Sequence, residues 1–311
     1  MKKLLLLLLL FSCILTSCAK DTTKNDTKPN IVCSVFPQYD FARQICGDKA
    51  NISMLLPPGA EAHSYEPSPK DILLLKEADL FITIGGESEH WALSLSEDVN
   101  TLRLIDSVVG YEEEHTEGME EIRHTHSEEC NHEEHSYDEH IWTSPQNAIS
   151  MCKSICDEVT KMDPDNKEYY TKNTDMYITK LQKLSNDFIL ARKNAKRDIL
   201  IFGDRFPMRY LIEELSLKYY AAFPGCSSKS EPSAKTVAFL SDTATEENIP
   251  VIFYMDYSDG RVANAIANES GAKALRLYSC HNLSKEDFAN GETYIGLMTK
   301  NLDALKEALN S

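Results

Sequence analysis

The sequence has no surplus of basic residues, no apolar run long enough to cross a bilayer, no dense cysteine framework and no hydrolytic motif. Its 32 Lys and Arg stand against 49 Asp and Glu, a formal net charge of −17. That balance repels nucleic-acid phosphates and favours cations, and no basic tract alternates with aromatics, so nucleic-acid binding is excluded. No HExxH, HxxEH or Ser–His–Asp arrangement stands out, and the chain reads as a non-enzyme. Its nine cysteines include Cys13 and Cys18 near the start. The seven that remain are an odd number spread over a long chain, unlike a small disulfide scaffold. Cys152 and Cys156 stand i,i+4 on a helical pattern, where a disulfide is geometrically awkward. They are expected to be buried small hydrophobes, although the spacing would also suit zinc.

The longest apolar run, Leu4–Leu15, follows Met1-Lys2-Lys3 and is shorter than the roughly 20 residues a membrane-spanning helix needs. It reads as an export signal over residues 1–17. Leu15-Thr16-Ser17-Cys18 looks like the lipobox of bacterial lipoproteins, in which Cys18 would receive the lipid and become the first residue. Two or three acyl chains anchor firmly where one binds only marginally. Residues 18–29 are polar and poor in apolar side chains, a flexible tether. Loss of Lys2 and Lys3 with the signal moves the net charge from −17 to about −19, which strengthens the field for cations.

From residue 30 to about 160, short apolar runs (Ile31–Phe36, Ile52–Leu56, Leu80–Ile84, Leu102–Asp106) alternate with helical patterns. From 197 to 311 the same rhythm returns, with strands at Asp198–Phe202, Lys218–Phe223, Val251–Met255 and Ala274–Tyr278. The expected fold is α/β, with two lobes, each a mostly parallel four-stranded sheet flanked by helices. Between them, residues 163–193 carry apolar side chains at steps of three, four and seven, and Asp163 is a candidate cap. This is one long rigid connecting helix of roughly 40 Å. Two such lobes create a cleft where strand ends face each other, the usual place for a ligand. Residues 110–139 break the pattern. They hold twelve acids and five histidines (His115, His124, His126, His132, His135), an exposed mobile loop able to chelate a metal weakly and reversibly.

Four stretches carry a resemblance: LLPPGAEAHSYEPSPKDI (Leu55–Ile72), DEHIWTSPQNA (Asp138–Ala148), AAFPGCSSKSEPS (Ala221–Ser233) and TYIGLMTKNLDALKEAL (Thr293–Leu309). Together with the His/Glu-rich loop they resemble the zinc/manganese substrate-binding lipoproteins of bacterial ABC importers. The resemblance implies two lobes bridged by one helix and a single metal ion held between them. It carries the first two ligands over to His63 and His140. At the third histidine's register the sequence reads IFGDRF, with Gly203 in place of the imidazole and Asp204 and Arg205 beside it. At the fourth, LYSCHNLS puts Cys280 in the acid's place with His281 next to it. Cys280, His281, Asp204 and Glu61 all remain candidates for completing the site, and Arg205 would need an acidic partner near a cation.

Imidazole, thiolate and carboxylate donors suit zinc; two or more imidazoles favour it over manganese. The expected function is extracytoplasmic capture of Zn2+ and delivery to the ABC permease of a metal importer by a monomeric protein, lipid-anchored to the membrane through Cys18. Import of Mn2+ or Fe2+, or surface adhesion with a structural metal, are the alternatives.

Overall fold

A computed structural model describes residues 28–62, 65–120, 137–225 and 231–311. The signal and Cys18 lie outside these residues. The first lobe runs β1 (Asn30–Cys33), α1 (Phe36–Cys46), β2 (Asn51–Met54), α2 (Pro69–Lys76), β3 (Leu80–Thr83), α3 (His90–Leu93) and β4 (Thr101–Arg103). The strand order is β2-β1-β3-β4, and every pair is parallel. The order explains the composition: Ile31, Val32 and Cys33 in β1 and all of β3 are buried, whereas β2 and β4 at the edges are partly exposed. A strand covered on both faces by helices has no polar side to show. Helix α2 starts on a capping box, in which the Ser68 hydroxyl and the Asp71 carboxylate each accept the other's backbone N–H.

Helix α4 (Pro145–Met162) follows, with Ser144 as its cap and Pro145 in the first turn. The long helix, α5, spans Lys167–Lys193, 27 residues, or about 40 Å. It starts later than the expected 163. Residues Pro164–Asn166 form a 3-10 turn, and Asp163 accepts from Asn166 Nδ2 and the Tyr170 hydroxyl instead of capping backbone.

The second lobe runs β5 (Ile199–Phe206), α6 (Arg209–Leu215), β6 (Lys218–Pro224), α7 (Ala234–Glu246), β7 (Val251–Met255), α8 (Arg261–Ser270), β8 (Lys273–Leu277), α9 (Lys285–Ala289) and α10 (Tyr294–Asn310). The order β6-β5-β7-β8, again parallel, repeats the first sheet. Strand β5 outruns its expected end at Phe202 because a register shift between Phe202 and Arg205 lets it continue to Phe206. The short α9, capped by Ser284, has no apolar period and was not expected.

The long helix is a packed layer as well as a connector. Tyr170, Tyr177, Leu181, Leu184 and Phe188 are buried in one apolar cluster that also holds Ile31 and Leu309. The fully buried Asp40 of α1 ties three elements together, accepting from the Tyr177 hydroxyl (3.3 Å) and from Tyr294 N (3.0 Å). Cys152 and Cys156 are buried free thiols, and burial pushes the Cys152 thiol far above its ordinary value.

The start of the acidic segment departs from the free loop expected there. Residues 111–120 lie against the second lobe: Glu120 N donates to Ala222 O (3.0 Å), and its carboxylate accepts from Ser233 N and the Thr236 hydroxyl. Period-based reading misses such a segment because its backbone is anchored by scattered polar bonds. His115 is exposed; His124, His126, His132 and His135 lie outside the described residues.

Candidate metal centre

Where the lobes meet there is a cavity, partly open to solvent. The first lobe contributes Ala60, Glu61 and Ala62 from the loop after β2, and His140. The second contributes Arg205 near the end of β5 and Pro207 just after it, Gly225 after β6, Asp256 and Tyr257 after β7, and Ser279, His281 and Asn282 after β8.

His140 is almost wholly buried. Asp138 Oδ1 accepts both its backbone N–H (2.8 Å) and its Nδ1 (3.0 Å). That bond fixes the proton on Nδ1 and leaves Nε2 as the lone-pair donor, the arrangement found around metal-binding histidines. Burial alone would lower the imidazole pKa, but the Asp138 charge and hydrogen bond, with Glu139 behind them, leave it above its ordinary value. Gly225 lets backbone approach the ring: a Cβ there would stand 3.3 Å from His140 Cε1 and 2.9 Å from Phe206 O.

His281 faces His140 across the cavity, with ring centroids 5.6 Å apart and planes at 87°. Trp142 packs against both rings, at 5.3 Å and 4.9 Å, and its Nε1 donates to Ser279 O (2.8 Å). Cys280 decides which neighbour enters the cavity. Its φ of 58° is left-handed, and its side chain is fully buried in the apolar cluster with Sγ 3.7 Å from Tyr278 O. Burial pushes the thiol strongly up, so it is no ready source of thiolate. Of the two candidates side by side in the sequence, His281 lines the cavity and Cys280 does not.

The register at the end of β5 also resolves. A Cβ on Gly203 would meet Ala263 Cα at 2.6 Å, so Gly203 is the close-approach point for α8 and faces away from the cleft. After the register shift Arg205 is the residue that reaches the cavity, with Nη1 3.7 Å from Glu61 Oε1. The Asp204 side chain is absent from the cavity lining; its oxygens accept from Arg205 N (2.8 Å) and Met255 N (3.0 Å), bridging β5 to β7.

Asp256 was missed by sequence reasoning. It lies one residue past β7, lines the cavity and accepts from Ser279 N (3.1 Å). Burial raises its pKa to about 6. A carboxylate immediately after the VIFYM strand, at the same sheet edge as the other candidates, was a signal available in the sequence. His63 lies outside the described residues, although Glu61 and Ala62 just before it line the cavity. Among the described residues no three His, Cys, Asp or Glu are gathered at metal-binding distance.

Residues 31–308 match the family model described as ZnuA, "Zinc-uptake complex component A periplasmic". The chain belongs to this family. The high-affinity zinc uptake system protein ZnuA of Bacillus subtilis (strain 168) is 36% identical over 310 residues, covering 95% of this chain and 94% of its own length. Among solved structures, the metal-dependent lipoprotein YcdH from Bacillus subtilis superposes with a TM-score of 0.76 at 34% identity, over 91% of this chain and 100% of that one. The Zn(II)-bound ZnuA-like domain of Streptococcus pneumoniae AdcA gives 0.75 at 30%, with the same coverage. The ZnuA-family fold is therefore shared over both lobes and the helix between them.

Two imidazoles and nearby carboxylates, enclosed but open on one side, can hold a borderline divalent cation without fixing an octahedron.

Proposed function

We propose that this chain captures Zn2+ outside the cytoplasm and delivers it to the permease of an ABC importer. The observation that carries the reading is the convergence of His140 and His281, from different lobes, on one cavity, with the His140 Nδ1 proton held by Asp138. The neighbouring zinc uptake protein and the Zn(II)-bound structure support zinc over Mn2+ or Fe2+. His63 supplies the third imidazole and Asp256 the carboxylate, while Glu61 pairs with Arg205 at the rim. Cys280 and Asp204 serve the fold.

In this reading residues 1–17 are removed, Cys18 carries the lipid, and residues 18–29 tether the body to the membrane. The first lobe covers 30–160, the connecting helix 163–193 and the second lobe 197–311. The protein acts as a monomer. The histidines of the acidic loop gather zinc near the cleft. Titration of the purified chain without residues 121–136, against a chromogenic zinc chelator, tests the reading. One tightly held zinc per chain, lost in the His140→Ala/His281→Ala double variant, is the expected result. Tight one-to-one uptake that survives the double substitution would refute it.

A further inference from the structure

His281 belongs to the second lobe by sequence, yet its backbone is fastened to the first. Phe36 N donates to His281 O (3.2 Å), and Gly59 N donates to Leu283 O (2.9 Å). Trp142 Nε1 donates to Ser279 O (2.8 Å). At the centre is Asn282, about 1% exposed. Its Nδ2 donates to both Pro57 O (2.8 Å) and Ala60 O (2.9 Å), and its Oδ1 accepts Leu283 N (2.8 Å). Two amide protons and one carbonyl are all used, a set of partners that only an Asn or Gln amide can satisfy and that the shorter Asn reaches here. The ties to the second lobe lie at the base of this arm, where Asn301 holds Tyr278 through N (2.7 Å) and O (2.8 Å) and Asp256 Oδ1 accepts from Ser279 N (3.1 Å).

We propose that Asn282 is a positioning residue of the metal site: it locks the arm 279–283 onto the Pro57–Ala60 turn, so His281 moves with the first lobe. The turn it grips leads directly into Glu61 and Ala62, which line the cavity, so one buried amide ties the His281 arm to the first-lobe wall of the site. The His140 and His281 imidazoles then form a single mechanical unit. Relative motion of the lobes shifts Arg205 and Tyr257 on the opposite wall and leaves the pair of rings intact. Buried amides that bond backbone carbonyls resist rearrangement because each orphaned group is left without water to replace its partner.

The inference rests on His281 holding zinc, and the experiment separates the two. Zinc-loaded full-length wild type, Asn282→Ala and Asn301→Ala are mixed with excess chelator, and the dissociation rate is followed. The melting temperature of each metal-free form is measured alongside. Asn282→Ala is expected to release zinc about ten- to a hundredfold faster, the usual effect of removing an outer partner of a metal ligand. Asn301→Ala, which loses equally buried bonds on the other side of the hinge, should melt lower yet stay within about threefold of the wild-type rate. Equal acceleration in both variants, or none in Asn282→Ala, overturns the proposal. Failure of the wild type itself to take up zinc defeats the functional reading beneath it. Hydrogen exchange on the metal-free wild type gives a second test that needs no variant. The Phe36 and Gly59 amides should be protected together with the first-lobe sheet, and exchange at the rate of free amides would overturn the lock.

Discussion

In the first sheet the crevice between β1 and β3 is filled by Glu89; in the second, the crevice between β5 and β7 is bridged by Asp204. Glu89 is buried and accepts from four donors: the Ser34 and Thr83 hydroxyls, Gln38 Nε2 (3.3 Å) and Gly85 N (2.8 Å). Burial still holds its carboxyl above the usual range. Asp204 performs the equivalent bridge with two backbone amides. The two central pairs are the switch points of two sheets with the same order, the places where open α/β sheets usually bind ligands. Here each is closed by a carboxylate of the chain itself, and the cavity lies instead where the lobes meet. A carboxylate with both oxygens committed to backbone holds strands together, whereas Asp256, one position past β7, lines the cavity.

The largest effect that would break this division is on metal binding. His140→Ala or His281→Ala should weaken zinc more than about 100-fold, near 3 kcal/mol, in a chelator competition, whereas Asp204→Asn and Cys280→Ser should stay within about threefold. An equal loss in Asp204→Asn would return that residue to the metal. Next comes stability: Glu89→Ala should cost about 3 kcal/mol in urea unfolding, because four buried donors lose their acceptor, and Asp204→Ala about 2 kcal/mol. A reversed order would mean that the two plugs are not equivalent.

Asp256→Asn sharpens the contrast by pH. The folded pKa of about 6 lies above the unfolded value near 3.9, so the favourable contribution is complete below about pH 4 and is lost as pH rises through 6. The metal-free variant should therefore be more stable than wild type by about 3 kcal/mol at pH 7.5, with no gain at pH 4. A gain that does not vary with pH would point to packing instead. The smallest effect is at the rim, where Glu61→Gln should change stability by less than about 1 kcal/mol, since the Arg205 pair is partly exposed.

Periodicity carried the fold. The apolar runs at β1, β3, β5 and β7 are continuous because both faces are covered, and helices between them dictate parallel pairing. The ends of elements were harder to read. The register shift that extends β5 to Phe206 depends on Gly203 meeting α8, a tertiary contact with no local signature, and it turned Arg205 to the cleft where Gly203 had been placed. The left-handed Cys280 is similar: adjacent residues in a loop point to opposite sides, and only the backbone angle says which one enters the cavity. His140 was legible from its motif, but its Asp138 partner acquires meaning only with the ring's orientation. Asp256 was available at a strand end and went unread because no motif surrounds it.

The sharing of one cation by His140 and His281 is tested most directly by diffraction from zinc-soaked crystals, with anomalous scattering recorded at the zinc absorption edge. One strong peak is expected between the lobes, about 2.0–2.1 Å from a ring nitrogen of each of these two histidines. A zinc peak bonded to only one of them, or lying elsewhere on the molecule while their rings stay apart, would contradict it.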